Sequence, residues 1–201
     1  MPTTSAPYGL IPIQLVGGGT SQAGIRQYKL LSNSSTGFFY GDIVNIGAGV
    51  ATPVTATPTT TRNGNTPWGI FLGCSYYDTN GQPRYSQYLP ANGYTTYSSY
   101  GDILLNVLDD PFCTMQVQAS GSVANTDIGK NAALTNFSAG STTTGNSKVQ
   151  LDQSSINTTN TLGVKIIAIA PGPNNAAGDT YTDVWVRWNQ NVHAYTNILG
   201  V

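Results

Sequence analysis

The sequence predicts an all-β protein: a single β-sandwich or barrel, jelly-roll-like by preference, with extended N- and C-terminal arms. Three observations carry this. Charged residues are only 8% of the chain and glutamate is absent, so strong helix formers are scarce. Thr, Tyr, Gly, Asn and Ser stand in their place; the first two favour strands and the others favour turns. Short apolar runs alternate with turn clusters along most of the chain, which is the rhythm of a sandwich or barrel.

The elements follow in chain order. Residues 1–24 read as an extended arm, because Pro2, Pro7 and Pro12 disfavour helix and Gly17-Gly18-Gly19 makes a flexible joint. Tyr8, Leu10, Ile11, Ile13, Leu15 and Val16 are too apolar for a solvated tail, so the arm is expected to lie against the body or a neighbour. Residues 25–190 hold the all-β body. Strands are expected at 27–31, 38–46, 68–77, 84–89, 102–109, 113–119, 148–152, 162–170 and 183–189. The last alternates, with Val184, Val186 and Trp188 on one face and Trp185 and Arg187 on the other. Turn residues punctuate these runs at Asn80-Gly81, Asp109-Asp110-Pro111 and 171–175. Residues 52–66 and 138–146, rich in Thr, Pro, Gly and Ser, read as surface loops that decorate a face or fold against a partner. The tail 191–201 turns apolar again at Ile198, Leu199 and Val201, which suggests a second docking arm.

The inventory for catalysis is thin. His193 is the sole histidine and is expected to be exposed or at an interface rather than a base. Cys74 and Cys113 show no metal-ligand spacing and sit in apolar runs, so they read as buried free thiols. Asp109-Asp110 is the only adjacent acidic pair. It could serve a glycosidase or bind calcium, but a turn in which Asp caps backbone N–H groups before Pro111 is the better reading. Asp78–Gly81 reads as a hairpin turn. The expectation is a non-enzymatic protein with no catalytic residues, no metal and no cofactor.

A net charge of −1 offers no footprint for nucleic acid or an anionic membrane. Apolar runs such as 164–170 fall far short of the ~20 residues of a membrane helix. Met1–Ile13 lacks the basic start and continuous apolar core of a signal peptide, so assembly in the cytoplasm is expected. Tyrosine is concentrated at 76, 77, 85, 88, 94, 97 and 100, a cluster suited to core packing, to a subunit interface or to stacking sugars.

An ordered series of motifs adds to this. Pro7-Tyr-Gly-Leu-Ile-Pro12, Gly17-Gly-Gly and Tyr28-Lys-Leu open it. Phe39-Tyr-Gly-Asp-Ile-Val44, Trp68-Gly-Ile-Phe-Leu-Gly-Cys-Ser-Tyr76, Asp78-Thr-Asn-Gly-Gln-Pro83 and Ser86-Gln-Tyr-Leu-Pro90 follow. Asp109-Asp-Pro111, Met115-Gln-Val-Gln118, Ile128-Gly-Lys-Asn-Ala132 and Thr144-Gly-Asn-Ser147 close it. In their order and spacing these resemble a family of tailed-phage virion structural proteins. The resemblance implies a decoration or cement protein on the capsid exterior, commonly a homotrimer, whose partner is the major capsid protein. It implies no individual contact residues. The arms supply the candidate docking residues instead: Tyr8, Leu10, Ile11, Ile13, Leu15, Tyr195, Ile198, Leu199 and Val201. Another virion part, such as a fibre or a glycan-binding receptor module using Tyr76–Tyr100, is the alternative.

Overall fold

The computed structural model describes residues 4–15, 24–47, 50–59, 66–137 and 139–197, with Leu15 described by its backbone alone. Fourteen strands are assigned among them. They are β1 (Ile11–Leu15), β2 (Ile25–Lys29), β3 (Phe38–Phe39), β4 (Ile43–Gly47), β5 (Val50–Pro53), β6 (Gly69–Tyr77) and β7 (Pro83–Ser86). Then come β8 (Tyr88–Leu89), β9 (Leu104–Leu108), β10 (Cys113–Gln118), β11 (Asn131–Thr135), β12 (Gln150–Asn157), β13 (Val164–Ile169) and β14 (Asp183–Trp188). The one α-helix, α1 (Gly93–Tyr97), is a single turn and a half.

Six strands form the first sheet in the order β1-β10-β14-β13-β11-β12. The second runs β2-β9-β6-β4-β5, with β7 added on β6, and β3 and β8 make a separate ribbon. All strand pairs are antiparallel. The result is a sandwich larger than the eight strands of a jelly roll.

Two hydrophobic cores explain why the strands differ in pattern. The first lies between the sheets, where Met115, Val117, Leu134, Leu151, Ile166, Val184 and Val186 meet Ile43, Ile70 and Leu108. A second core covers the opposite face of the second sheet, joining Phe71, Val44, Leu105 and Val107 to Phe38, Leu89 and Leu30. The middle strands of the second sheet are therefore buried on both faces, and β6 reads as a continuous apolar run rather than an alternating one. Phe71 and Cys74 enter the same core although they are three residues apart. A bulge resolves the parity: the β6–β9 register shifts between Phe71 and Cys74, and Gly73 takes φ +126° beside the Ser86 carbonyl.

Three expectations change. The segment expected as an N-terminal arm is in part body: β1 pairs with β10, and Leu10 is fully buried in the inter-sheet core. Leu10 thus spends its apolar surface within this chain, carried into the core by the pairing of β1 with β10. Of 52–66, Thr52 and Pro53 end β5, Val54 enters the core and Thr57 Oγ1 donates to the Leu134 carbonyl at 2.9 Å. A low-complexity stretch is folded here by strand pairing rather than left as a loop; residues 60–65 lie outside the described residues. Around 138–146, bonds from Tyr40 N–H to the Gly145 carbonyl and from Ser147 N–H to the Tyr40 carbonyl tie the loop to the body.

Because Phe71 is fully buried between β4, β9 and the ribbon, Phe71→Ala is expected to cost about 3–5 kcal/mol. Tyr85→Ala, at a position 86% exposed, should stay within about 0.5 kcal/mol. Urea unfolding of both variants checks the contrast.

Candidate functional site

A polar constellation gathers where β9 leaves the second sheet. Asp109 follows β9 directly, is 2% exposed, and accepts hydrogen bonds at one oxygen, Oδ2, from Tyr28 (2.6 Å) and Tyr195 (2.8 Å). Arg26 Nε lies 3.4 Å from the same oxygen, and Trp68 Nε1 donates to the Tyr28 hydroxyl at 2.9 Å. Tyr28 and Arg26 come from β2, two residues apart, while Tyr195 arrives from the C-terminal segment. A buried carboxylate thereby fastens the end of the chain to an edge strand. Burial, then the bonds to Tyr28 and Asp109, hold the Tyr195 phenol protonated well above the ordinary range.

His193 lies beneath this network and is fully buried, not exposed or at an interface as expected. Val192 and Trp188, both in the inter-sheet core, carry it inward. Its Nδ1 accepts the Tyr195 backbone N–H at 3.2 Å. The proton of the neutral ring therefore sits on Nε2, which lies near the Trp68 backbone without a hydrogen bond of good geometry. Burial pushes the imidazole pKa down to about 4, against the opposing pull of the Trp68 backbone, Asp109 and Asp110.

The two adjacent aspartates have separate structural tasks. Asp110 caps the turn by accepting the Phe112 N–H at 2.7 Å, as expected of it. Asp78 likewise accepts the N–H groups of Asn80 and Gln82 in its hairpin. Cys74 and Cys113 are buried free thiols, and burial pushes both up to about 12, far from a thiolate. Among the described residues, no group of three or more His, Cys or Asp side chains is arranged to hold a metal ion. No helix among them is long and apolar enough to cross a membrane.

The candidate docking residues are split. Tyr8 is half-buried and its hydroxyl accepts from Gln116 Nε2 at 3.0 Å; Ile11 pairs with Gln116 on the edge strand. Ile13 falls at the β1 bulge and is 36% exposed, and Tyr195 is 45% exposed. Ile198, Leu199 and Val201 lie outside the described residues. Five further large aliphatic or phenyl side chains are exposed and were not among the docking candidates, Leu31, Ile128, Ile167, Ile25 and Phe112; the last two join Ile13 and Tyr195. These flank one stretch of chain. Ile25 pairs with Leu108, Tyr195 bonds Asp109, Phe112 belongs to the turn, and Ile13 lies between the residues paired with Met115 and Thr114. The signal for Phe112 was its place between a turn proline and a buried strand, but exposure itself is not written in local pattern.

The tyrosine cluster is mostly structural. Tyr76, Tyr94 and Tyr97 pack against the second core, with the rings of Tyr76 and Tyr97 4.5 Å apart, and Tyr88 stacks on Phe39. Tyr85 alone among them is nearly fully exposed. No family model, curated protein or solved structure matches this chain.

Tyr195→Phe removes one hydrogen bond to a buried carboxylate and should cost about 1.5–3 kcal/mol in thermal or urea unfolding. A second test uses pH. The unfolded chain protonates His193 near 6.5, the folded chain only near 4. Between these values the unfolded state binds more protons, so the stability supplied by neutral His193 is complete above about pH 6.5 and lost as pH falls toward 4. Asp42, raised by burial to about 6, changes stability in the opposite sense over much of that window, so a subtraction is needed. The stability difference between the parent and His193→Gln should shrink by a few kcal/mol from pH 7 to pH 4. Urea titrations at several pH values read it.

Proposed function

We propose that this protein is a non-enzymatic structural component of a tailed-phage capsid, a decoration or cement protein seated over junctions of the major capsid protein. The observation that carries the reading is the set of exposed apolar side chains Ile13, Ile25, Phe112 and Tyr195 around the segment from Leu108 to Thr114. The motif resemblance supplies the context, and the sparse charge suits close-packed identical copies, which repel one another little. A homotrimer touching several capsid subunits converts weak contacts into strong avidity. On this reading the Asp109 network is a brace that presents the C-terminal segment to the shell, and the protein acts on the capsid exterior after assembly in the host cytoplasm.

The direct test is co-sedimentation of purified protein with mature, expanded capsids of the phage that encodes it. Saturable binding is expected, and the double substitution Ile25→Asp with Phe112→Asp, two exposed positions, should weaken it at least about tenfold while the melting temperature stays close to that of the parent. Light scattering should report three copies per free particle. Absence of capsid binding, or binding confined to tails, overturns the assignment.

A further inference from the structure

On the outer face of the first sheet three polar residues stand in one row. Register pairs Asn131 of β11 with Lys165 of β13, and Lys165 in turn with Arg187 of β14. Lys165 and Arg187 are thus like charges directly opposite each other, an arrangement that destabilises a sheet. Among the described residues, the ion pairs engage Arg26, Lys29, Arg84 and Lys130, and no carboxylate lies within ion-pair distance of Lys165 or Arg187. In a chain with only eight cationic residues, an uncompensated pair in register asks for an explanation.

The pair lines a recess of about 530 Å³ that also takes in Asn131, Asn160, Trp188 and Gln190. Two of these residues carry a buried polar atom with no hydrogen-bond partner in the protein. Arg187 Nε is buried with no hydrogen bond, and so is Asn131 Oδ1, on a residue only 7% exposed whose Nδ2 already donates to the Thr159 carbonyl. The first atom needs an acceptor and the second needs a donor. A bare oxyanion satisfies the guanidinium but repels the Asn131 oxygen. A neutral sugar satisfies the amides and leaves both cations without a counter-ion, Lys165 keeping its bond to the Gly129 carbonyl at 3.2 Å. A ligand bearing a carboxylate beside hydroxyl groups matches the lining as a whole, with the Arg187 guanidinium giving charge-assisted bonds to the carboxylate and the amides exchanging hydrogen bonds with the hydroxyls.

We propose that this recess binds an acidic sugar residue, a hexuronate or a sialic acid, as part of a glycan. The site is independent of the shell-docking reading and of the tyrosine cluster. The lining suits a sugar better than an acidic peptide because amides predominate and Ile167 and Trp188 are its only large apolar members.

Glucuronate and N-acetylneuraminate are titrated into the ¹⁵N-labelled full chain, alongside glucose, sodium sulfate and N-acetylglutamate. The acidic sugars are expected to shift the Arg187 Nε–H resonance and the Asn131 side-chain amide together, with affinity falling as salt rises. Glucose should be silent, and Arg187→Gln should weaken acidic-sugar binding at least about tenfold. Lys165→Gln gives a readout that does not depend on any ligand. Relief of the like-charge pair should leave the melting temperature unchanged or raise it by about 1–3 °C while also weakening the sugar. Equal binding of sulfate reduces the recess to an adventitious anion site, and stronger binding of N-acetylglutamate makes it a peptide site. Either result, or undiminished sugar binding by a folded Arg187→Gln variant, overturns the proposal.

Discussion

The structure depends on one crossing of backbone. Gly9 and Gly41 pass close enough that a Cβ on Gly41 would meet the Leu10 nitrogen at 2.8 Å, and one on Gly9 would meet Ser147 Cβ at 2.8 Å. Both glycines take positive φ, +82° and +88°, which an L side chain adopts only with strain. The closeness allows Leu10 N–H to reach the Gly41 carbonyl at 3.0 Å while Gly41 N–H donates to the Phe71 carbonyl at 2.9 Å. Asp42, next in the chain, holds the turn by accepting Phe39 N–H at 2.8 Å. One point therefore joins the lead-in to the first sheet, the β3–β4 turn and the central strand of the second sheet. It also explains why Leu10 reaches the inter-sheet core from a segment that sequence pattern describes as an arm. Four of the quoted motifs, those around Gly9, Gly41, Phe71 and Gly145, meet here, which gives their residues a role in the fold.

What was legible in the sequence follows the reach of each interaction. Strand β14 alternates because only one of its faces is buried, and its period of two is plain in Val184, Val186 and Trp188. The run in β6 was legible as a strand, but its burial on two faces was not, because the covering ribbon and α1 come from elsewhere in the chain. Strands β1, β5 and β11 were missed for related reasons. The first carries a proline and a bulge, the second lies in a Thr/Pro-rich stretch, and the third is short with Asn131 at its head. Their formation rests on partners distant in sequence, which local propensity does not register.

The site was less legible than the fold. Asp109 and Asp110 look equivalent as adjacent carboxylates. Only tertiary structure separates them, because Tyr28 and Tyr195, which make Asp109 a buried anchor, lie 81 and 86 residues away. His193 shows the same blindness. Its neighbours Asn191, Ala194 and Thr196 give no apolar period, yet Val192 and Trp188 draw it fully inside. The like-charge pair at Lys165 and Arg187 became visible only with the β13–β14 register.

The absence of glutamate has a structural counterpart. Six of the nine aspartates accept a backbone N–H within four residues: Asp42, Asp78, Asp110, Asp127, Asp152 and Asp179. A side chain with one methylene reaches its own local backbone and closes these turns, whereas a second methylene carries the carboxylate past it. Acidic residues are thus used here mainly as turn fasteners, and Ser does the same work without charge, as Ser34 does for Thr36 N–H and Ser86 for Tyr88 N–H. A body whose many turns are closed locally holds its loops in place without surface ion-pair networks. Its surface can therefore stay nearly uncharged, and against that background Lys165 and Arg187, opposite each other and without a carboxylate partner, stand out.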